Sequence, residues 1–344
     1  MPARPLMLCL LLASPAAAQD GLMVPSLLDV SGLDPVALDR AFDHAAELAP
    51  LNSLIVARSG RVVREQYFRG LRPGQRVNVK SASKSIISTL VGIAIAQGHL
   101  RTVEQRVAEF FPEQFEGETD ARRWRISIRD LLSMRAGLES TSFGNYGAWV
   151  SSPSWVRSAL AMPITCVPDQ CWEYSTGNSH LLSAILTKAT GVSTLAYARR
   201  ALFEPIGVQL ASWERDPQGI YLGGNNMRLS PRELLAFGML YANGGKYGDR
   251  QIVPEEWIEL SWQSRSRSPW NGHQYGYGWW TREFGGHAVH FAWGYGGQYL
   301  FVVPDLDLVV VATTSLSGRR PRDHNRQVLR LMRDYVMPAV RGND

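Results

Sequence analysis

Four short β-branched runs divide this chain into two ends and a middle, and that division limits what it can become. Ser53–Arg58 and Val62–Phe68 lie near the N-terminus, split by Ser59-Gly60, which signals a hairpin. Gly297–Val303 and Leu308–Thr313 lie near the C-terminus, with Pro304-Asp305 marking the turn between them. Gly276–Trp280 is a further strand candidate. A helix pattern starts at Asp34-Pro35 and runs through Leu48, with Leu38, Phe42 and Ala45 on one face. Another runs from about Asp323 to Tyr335, with Val328, Leu331 and Met332 apolar. The stretch from Ser81 to about Tyr241 reads as mostly helical. The simplest assembly is an α+β fold. Both chain ends build one antiparallel sheet, terminal helices flank it, and the helical region is inserted between its halves, leaving a cleft where the parts meet. The sheet subdomain would take about 34–80 and 242–344, and the helical subdomain about 81–241.

The chain has 344 residues, 45% hydrophobic and 19% charged, enough for a large core. The net charge is +5, but the basic residues are scattered, with Arg122, Arg123 and Arg125 the tightest group. A nucleic-acid partner would want a denser stripe, so none is expected. The 11 Trp either fill the core or line an apolar cleft, and Trp149, Trp155 and Trp293 are candidates for the walls of such a cleft. Arg4, the apolar run Leu6–Ala13 and Ala16-Ala17-Ala18 read as a secretory leader cleaved near Ala18, hence export, with the periplasm as destination. The alternative is a frayed apolar N-terminus. No later stretch is long and apolar enough to span a membrane, so no stable insertion is expected. Cleavage would remove Cys9 and leave Cys166 and Cys171, either as a disulfide around Pro168 or as two free thiols. No histidine stands near them at ligand spacing, and neither metal nor cofactor is expected.

The segment Ser81-Ala82-Ser83-Lys84-Ser85 precedes the apolar positions Ile86, Ile87, Leu90, Val91 and Ala94, which suit a buried helix. Ser81 would sit in its first turn and Lys84 one turn later on the same face. A serine hydroxyl is a poor nucleophile until a base takes its proton. A lysine serves as that base only if burial or the helix N-terminus lowers its pKa. The chain has only four lysines, Lys80, Lys84, Lys188 and Lys246, and Lys84 alone follows a serine at this spacing. Taken alone, the spacing also fits a helix-capping serine followed by a snorkelling lysine.

With the phrases around it, the sequence resembles the serine β-lactamase and D-alanyl-D-alanine carboxypeptidase superfamily, in its class C-like branch of esterases and 6-aminohexanoate-dimer hydrolases. The resemblance runs from about Pro35 to Val340. It rests on Ser81–Lys84, on Ile128–Leu138, on Leu202–Gly207, on Met227–Leu234, and on Trp257, Trp279-Trp280 and Gly296-Gly297-Gln298. It implies a serine hydrolase acting through an acyl-enzyme on Ser81, with a small ester or amide as its partner. The family's second motif, Tyr-x-Asn, corresponds to Tyr174-Ser175-Thr176. That implies Tyr174 as the proton-relaying partner of Lys84. Thr176 replaces the usual Asn, with shorter reach and one donor fewer, and Asn178 is a candidate substitute through a shifted loop. The third motif, Lys-Thr-Gly or His-x-Gly on an edge strand, corresponds to Ala292-Trp293-Gly294. Gly294 would let substrate backbone approach, and Trp293 would line the site. The N–H groups of Ser81 and Tyr295 would receive the oxyanion. His290 reads as a surface or structural histidine. The usual carboxylate-binding cation is missing here, which implies small esters or linear amides over β-lactams. The alternatives are a carboxypeptidase or β-lactamase with an atypical third motif, or a non-catalytic relative that binds a cell-wall fragment or a partner.

Overall fold

A computed structural model of the chain describes residues 32–318 and 321–340, and the expected leader lies outside them. The first helix, α1 (Pro35–Glu47), starts where Asp34 accepts from the N–H groups of Val36 and Ala37 and Pro35 fills a position that needs no donor. Its apolar face, with Leu38, Ala41, Phe42 and Ala45, is buried. Strands β1 (Leu51–Arg58) and β2 (Arg61–Tyr67) form the hairpin, and Ser59 and Gly60 both take positive φ at its turn. The C-terminal part supplies β3 (Ser266–Arg267), β4 (Gln274–Tyr275), β5 (Trp280–Phe284), β6 (His287–Gly294), β7 (Gln298–Val303) and β8 (Leu308–Thr314).

One sheet runs in the order β2-β1-β8-β7-β6-β5-β4-β3, antiparallel throughout, so the two chain ends meet at the β1–β8 pair. Both of its faces are covered. Ile55, Ala57, Val309 and Val311 join the core shared with the helical region, while Leu54, Val56, Val310 and Ala312 join a second core with Phe42, Val328 and Leu331. Period-2 alternation onto two apolar layers explains why these strands read as continuous apolar runs.

Of the expected strand Gly276–Trp280 only Trp280 joins the ladder. Gly276 N–H closes a turn onto the Trp279 carbonyl, and the Gly278 carbonyl leaves the ladder to accept from Ser85 Oγ at 2.6 Å. The pairing residues lie on either side, at Gln274–Tyr275 and Trp280–Phe284. The C-terminal helix, His324–Arg330, widens into π-helical turns over Leu331–Val336.

The middle of the chain is helical but broken. Two long helices dominate it, α2 (Ser83–Ala96) and α3 (Thr176–Thr190), which pack on each other. Every residue of α2 from Ser83 to Ala94 is buried. Gly92 lets it seat on Trp257, whose ring would lie 2.2 Å from a Cβ at that position. No single described helix is long and apolar enough to cross a membrane.

Candidate active site

Ser81 lies just before α2 rather than inside it. It sits in a 3-10 turn, Lys80–Ala82, that leads into the helix, so Lys84 occupies the first α-helical turn. Lys80 holds φ at +51°, rare for a residue with a side chain, and its N–H is fixed by Asn78 Oδ1 at 2.9 Å. Strain of this kind sharpens the corner that presents Ser81.

Lys84 is buried, and its Nζ lies 3.3 Å from Ser81 Oγ, 3.3 Å from Thr176 Oγ1 and 2.6 Å from the Gly224 carbonyl. Burial alone lowers its pKa from 10.5 to about 7. A neutral amine here can donate to Thr176 and Gly224 and still aim its lone pair at the Ser81 hydroxyl. Gly224, which comes from a distant loop, carries no mark in the sequence that would have singled it out.

Tyr174 is buried beside this pair, with Lys84 Nζ 4.9 Å from its ring centre and its hydroxyl near enough to Ser81 to feel it. Burial raises its pKa, and Ser81 only partly offsets this. Tyr174 therefore rests as a phenol, and of the two it is Lys84 that titrates near neutrality. The segment around it is held on both sides. Cys166 and Cys171 are joined in a disulfide, Glu173 N–H donates to the Met134 carbonyl, and Ser140 Oγ donates to the Tyr174 carbonyl.

Thr176 opens α3. Its N–H donates to Ser142 Oγ at 2.8 Å, and Gly177 N–H donates to Thr141 Oγ1 at 2.7 Å. The helix start is thus capped by a neighbouring loop rather than by its own Ser175 side chain. Asn178 does not take the place of an asparagine at 176. It lies on another face of α3, with Nδ2 3.9 Å from Met134 Sδ, because residues two apart on a helix do not share a face.

The last residues of β6 form the third wall. Strand β5 pairs with β6 only as far as Phe291, so Ala292–Gly294 is a local edge inside a larger sheet. The Lys80–Ala82 turn packs on this edge. A Cβ at Gly294 would lie 2.1 Å from the Val79 carbonyl. The glycine is therefore required by the chain's own backbone, whatever it also admits. Tyr295 follows, with an exposed ring. His290 is buried and neutral, stacked on Trp262, with Nδ1 2.8 Å from Thr281 Oγ1, and is structural rather than a surface histidine.

Trp149 and Trp155 are core residues, not pocket walls. Their indole N–H groups donate to the Trp155 and Val150 carbonyls, and their rings flank His180. Trp293 stacks on Tyr299 and meets Trp280 edge to face. The exposed aromatic surface lies elsewhere. Phe143, 66% exposed, and Trp270, 56% exposed, touch edge to face at 5.0 Å, and both rings pack on Tyr174. Phe143 also holds a positive φ of 54°. Neither residue stood out in the sequence, although a bulky residue in this conformation beside the buried Tyr174 is a recognisable structural sign.

Among the described residues no cluster of His, Cys, Asp or Glu could hold a metal ion. What the arrangement can do is transfer an acyl group: a hydroxyl, a neutral base and a phenol meet at one point.

The Beta-lactamase family profile matches residues 38–332. A 6-aminohexanoate-dimer hydrolase of Paenarthrobacter ureafaciens is 23% identical over 294 residues, covering 77% of this chain and 72% of that protein. EstCE1, a hydrolase with promiscuous acyltransferase activity, superposes with a TM-score of 0.69 at 18% identity, over 88% of this chain and 96% of the other. A D-stereospecific amidohydrolase from Streptomyces sp. superposes with a TM-score of 0.64 at 18% identity, over 86% and 98%.

Proposed function

The chain belongs to the Beta-lactamase family of hydrolases, and we propose that within it this protein cleaves small esters or linear amides through an acyl-enzyme on Ser81. One observation carries the proposal. Lys84 Nζ stands 3.3 Å from Ser81 Oγ, buried, with its pKa lowered to about 7. The named relatives include an amide-cleaving and an acyl-transferring hydrolase, which supports the same chemistry.

Ser81 Oγ attacks the substrate carbonyl as its proton passes to neutral Lys84. The N–H groups of Ser81 and Tyr295 receive the oxyanion. Collapse breaks the bond to the alcohol or amine, and Tyr174 hands that group its proton, replenished from Lys84. Water then repeats the sequence on the acyl-enzyme and frees the acid. Thr176 orients the base, and the Phe143–Trp270 surface offers an apolar group of the substrate a place to lie.

The test is labelling with a fluorophosphonate, followed by intact-mass detection of acyl-enzyme across esters, amides and β-lactams. Labelling is expected in the wild type and in Ser83→Ala and absent in Ser81→Ala. Absence of labelling in the wild type would favour the non-catalytic binding reading.

One observation favours a second reading as a carboxypeptidase or β-lactamase. Arg322, His324 and Asn325 line a cavity of about 330 Å³ beside Tyr295, where a guanidinium would meet a substrate carboxylate. Nitrocefin turnover as fast as the best ester, lost in Arg322→Ala, would put that reading first. We further propose export. Sequencing the secreted protein should give a mature N-terminus near Gln19.

A further inference from the structure

One turn past Thr176, α3 carries a second buried polar arrangement. His180 Nε2 lies 3.1 Å from Asp216 Oδ2, with both side chains fully buried. Trp149 and Trp155 enclose the imidazole. Asp216 also organises its own loop. Its Oδ1 accepts from the N–H groups of Gln218 and Ile220 at 2.9 and 2.8 Å, and its own N–H donates to the Ile220 carbonyl. The loop is then laid along α3. Ser183 Oγ donates to the Tyr221 carbonyl at 2.6 Å. Gly223 presses so close that a Cβ there would lie 2.0 Å from the Ser179 carbonyl oxygen. The next residue is Gly224, whose carbonyl meets Lys84 Nζ at 2.6 Å.

A carboxylate withdrawn from water is costly unless it is paired, and a loop of this length folds without one. Here the pair stands where the loop must be held to reach Lys84. We propose that His180 and Asp216 are positioning residues for the base: they pin the 213–224 loop onto α3, so that the Gly224 carbonyl meets Lys84 and water is kept from the amine. The proposal rests on the reading of Ser81 and Lys84 as nucleophile and base. Neither His180 nor Asp216 is in contact with Ser81.

The groups facing Lys84 are few. Ser81 comes from its own segment, Thr176 from α3, Tyr174 from the preceding loop and Gly224 from the pinned loop. Tyr174 is the titratable group among them. The charged residues of the adjoining segments are bonded elsewhere. Lys80 Nζ and Glu214 both meet Asn226, and Glu173 accepts from Ser140 N–H.

The test is the rate of fluorophosphonate labelling of Ser81 against pH, normalised to titrated active sites, in His180→Ala, Asp216→Asn and Gly223→Ala. A loosened loop lets water reach Lys84, relieves its desolvation and raises its pKa. The midpoint of the acid limb is expected to rise by about one pH unit in all three, with the rate at pH 7 falling about fivefold. His180→Gln, which still reaches Asp216 with a donor, is expected to restore the midpoint. A merely structural role would lower the number of titratable sites and leave the midpoint in place. Unchanged midpoints overturn the proposal, as does a shift in Gly223→Ala alone. Should His180→Ala fail to fold, Asp216→Asn decides the matter. If the wild type takes no label, the hydrolase reading falls and the proposal with it.

Discussion

Lys84 on α2 and His180 on α3 are both buried basic side chains, and they are partnered in opposite ways. His180 faces a buried carboxylate, Asp216. Lys84 faces a hydroxyl pair and a carbonyl, all neutral. The difference teaches what a lysine base requires. Burial disfavours its charge only while no anion stands by to restore it, so the same environment that lowers Lys84 to about 7 would be undone by one carboxylate. The histidine–carboxylate contact stands where a loop is held onto α3, and the amine without an anion stands beside Ser81.

The comparison breaks most sharply if Lys84 is removed. Lys84→Ala should lower kcat/KM by about 10⁴, close to the loss in Ser81→Ala, because the two act as a unit. Steady-state kinetics on an ester check this.

The price of the unpaired amine should also be measurable as stability. A lysine whose folded pKa is depressed is a burden below that pKa, and the burden fades as pH approaches the unfolded value of 10.5. Lys84→Met should therefore raise the unfolding free energy at pH 6 by about 2–4 kcal/mol. The gain should shrink steadily between pH 7 and 10.5 in denaturant titrations. The buried Gly224 carbonyl, left without its donor, keeps the gain below the full desolvation cost.

Giving Lys84 the kind of partner that His180 has should reverse its chemistry. In Thr176→Asp the new carboxylate should raise the Lys84 pKa by at least about one unit. Activity at pH 7 should fall about 10- to 30-fold and recover as pH is raised. Recovery at alkaline pH separates this from misfolding.

The smallest effect is expected at the exposed rim. Trp270→Ala should raise KM for esters with an apolar group by about three- to tenfold, with kcat little changed, if the ring serves the substrate as apolar surface and its packing on Tyr174 does not set the position of the phenol. Equal loss in kcat would mean that Trp270 positions Tyr174 instead.

Local features of this site were legible in the sequence, and features made by distant contacts were not. Ser81 and Lys84 are three residues apart, and the apolar run after them announced the buried helix. The meeting of both chain ends in one sheet followed from β-branched runs that no single-ended fold would explain. Gly224, Thr141 and Ser142 were invisible because each reaches the site from a loop whose path depends on tertiary packing. Asn178 looked plausible in sequence and failed on helix phase. Trp149 and Trp155 show the limit of composition. An indole fills a core and lines a pocket equally well, and only their backbone hydrogen bonds place them in the core. Gly294 was read as a close approach, and the Val79 carbonyl is one group that approaches.

The most direct measurement is the pH dependence of Ser81 acylation in the wild-type protein. If Lys84 is the uncharged base, the labelling rate should rise with loss of a single proton at a midpoint near 7. A rate that stays flat through neutrality, or that rises only near the ordinary lysine value of 10.5, would contradict it.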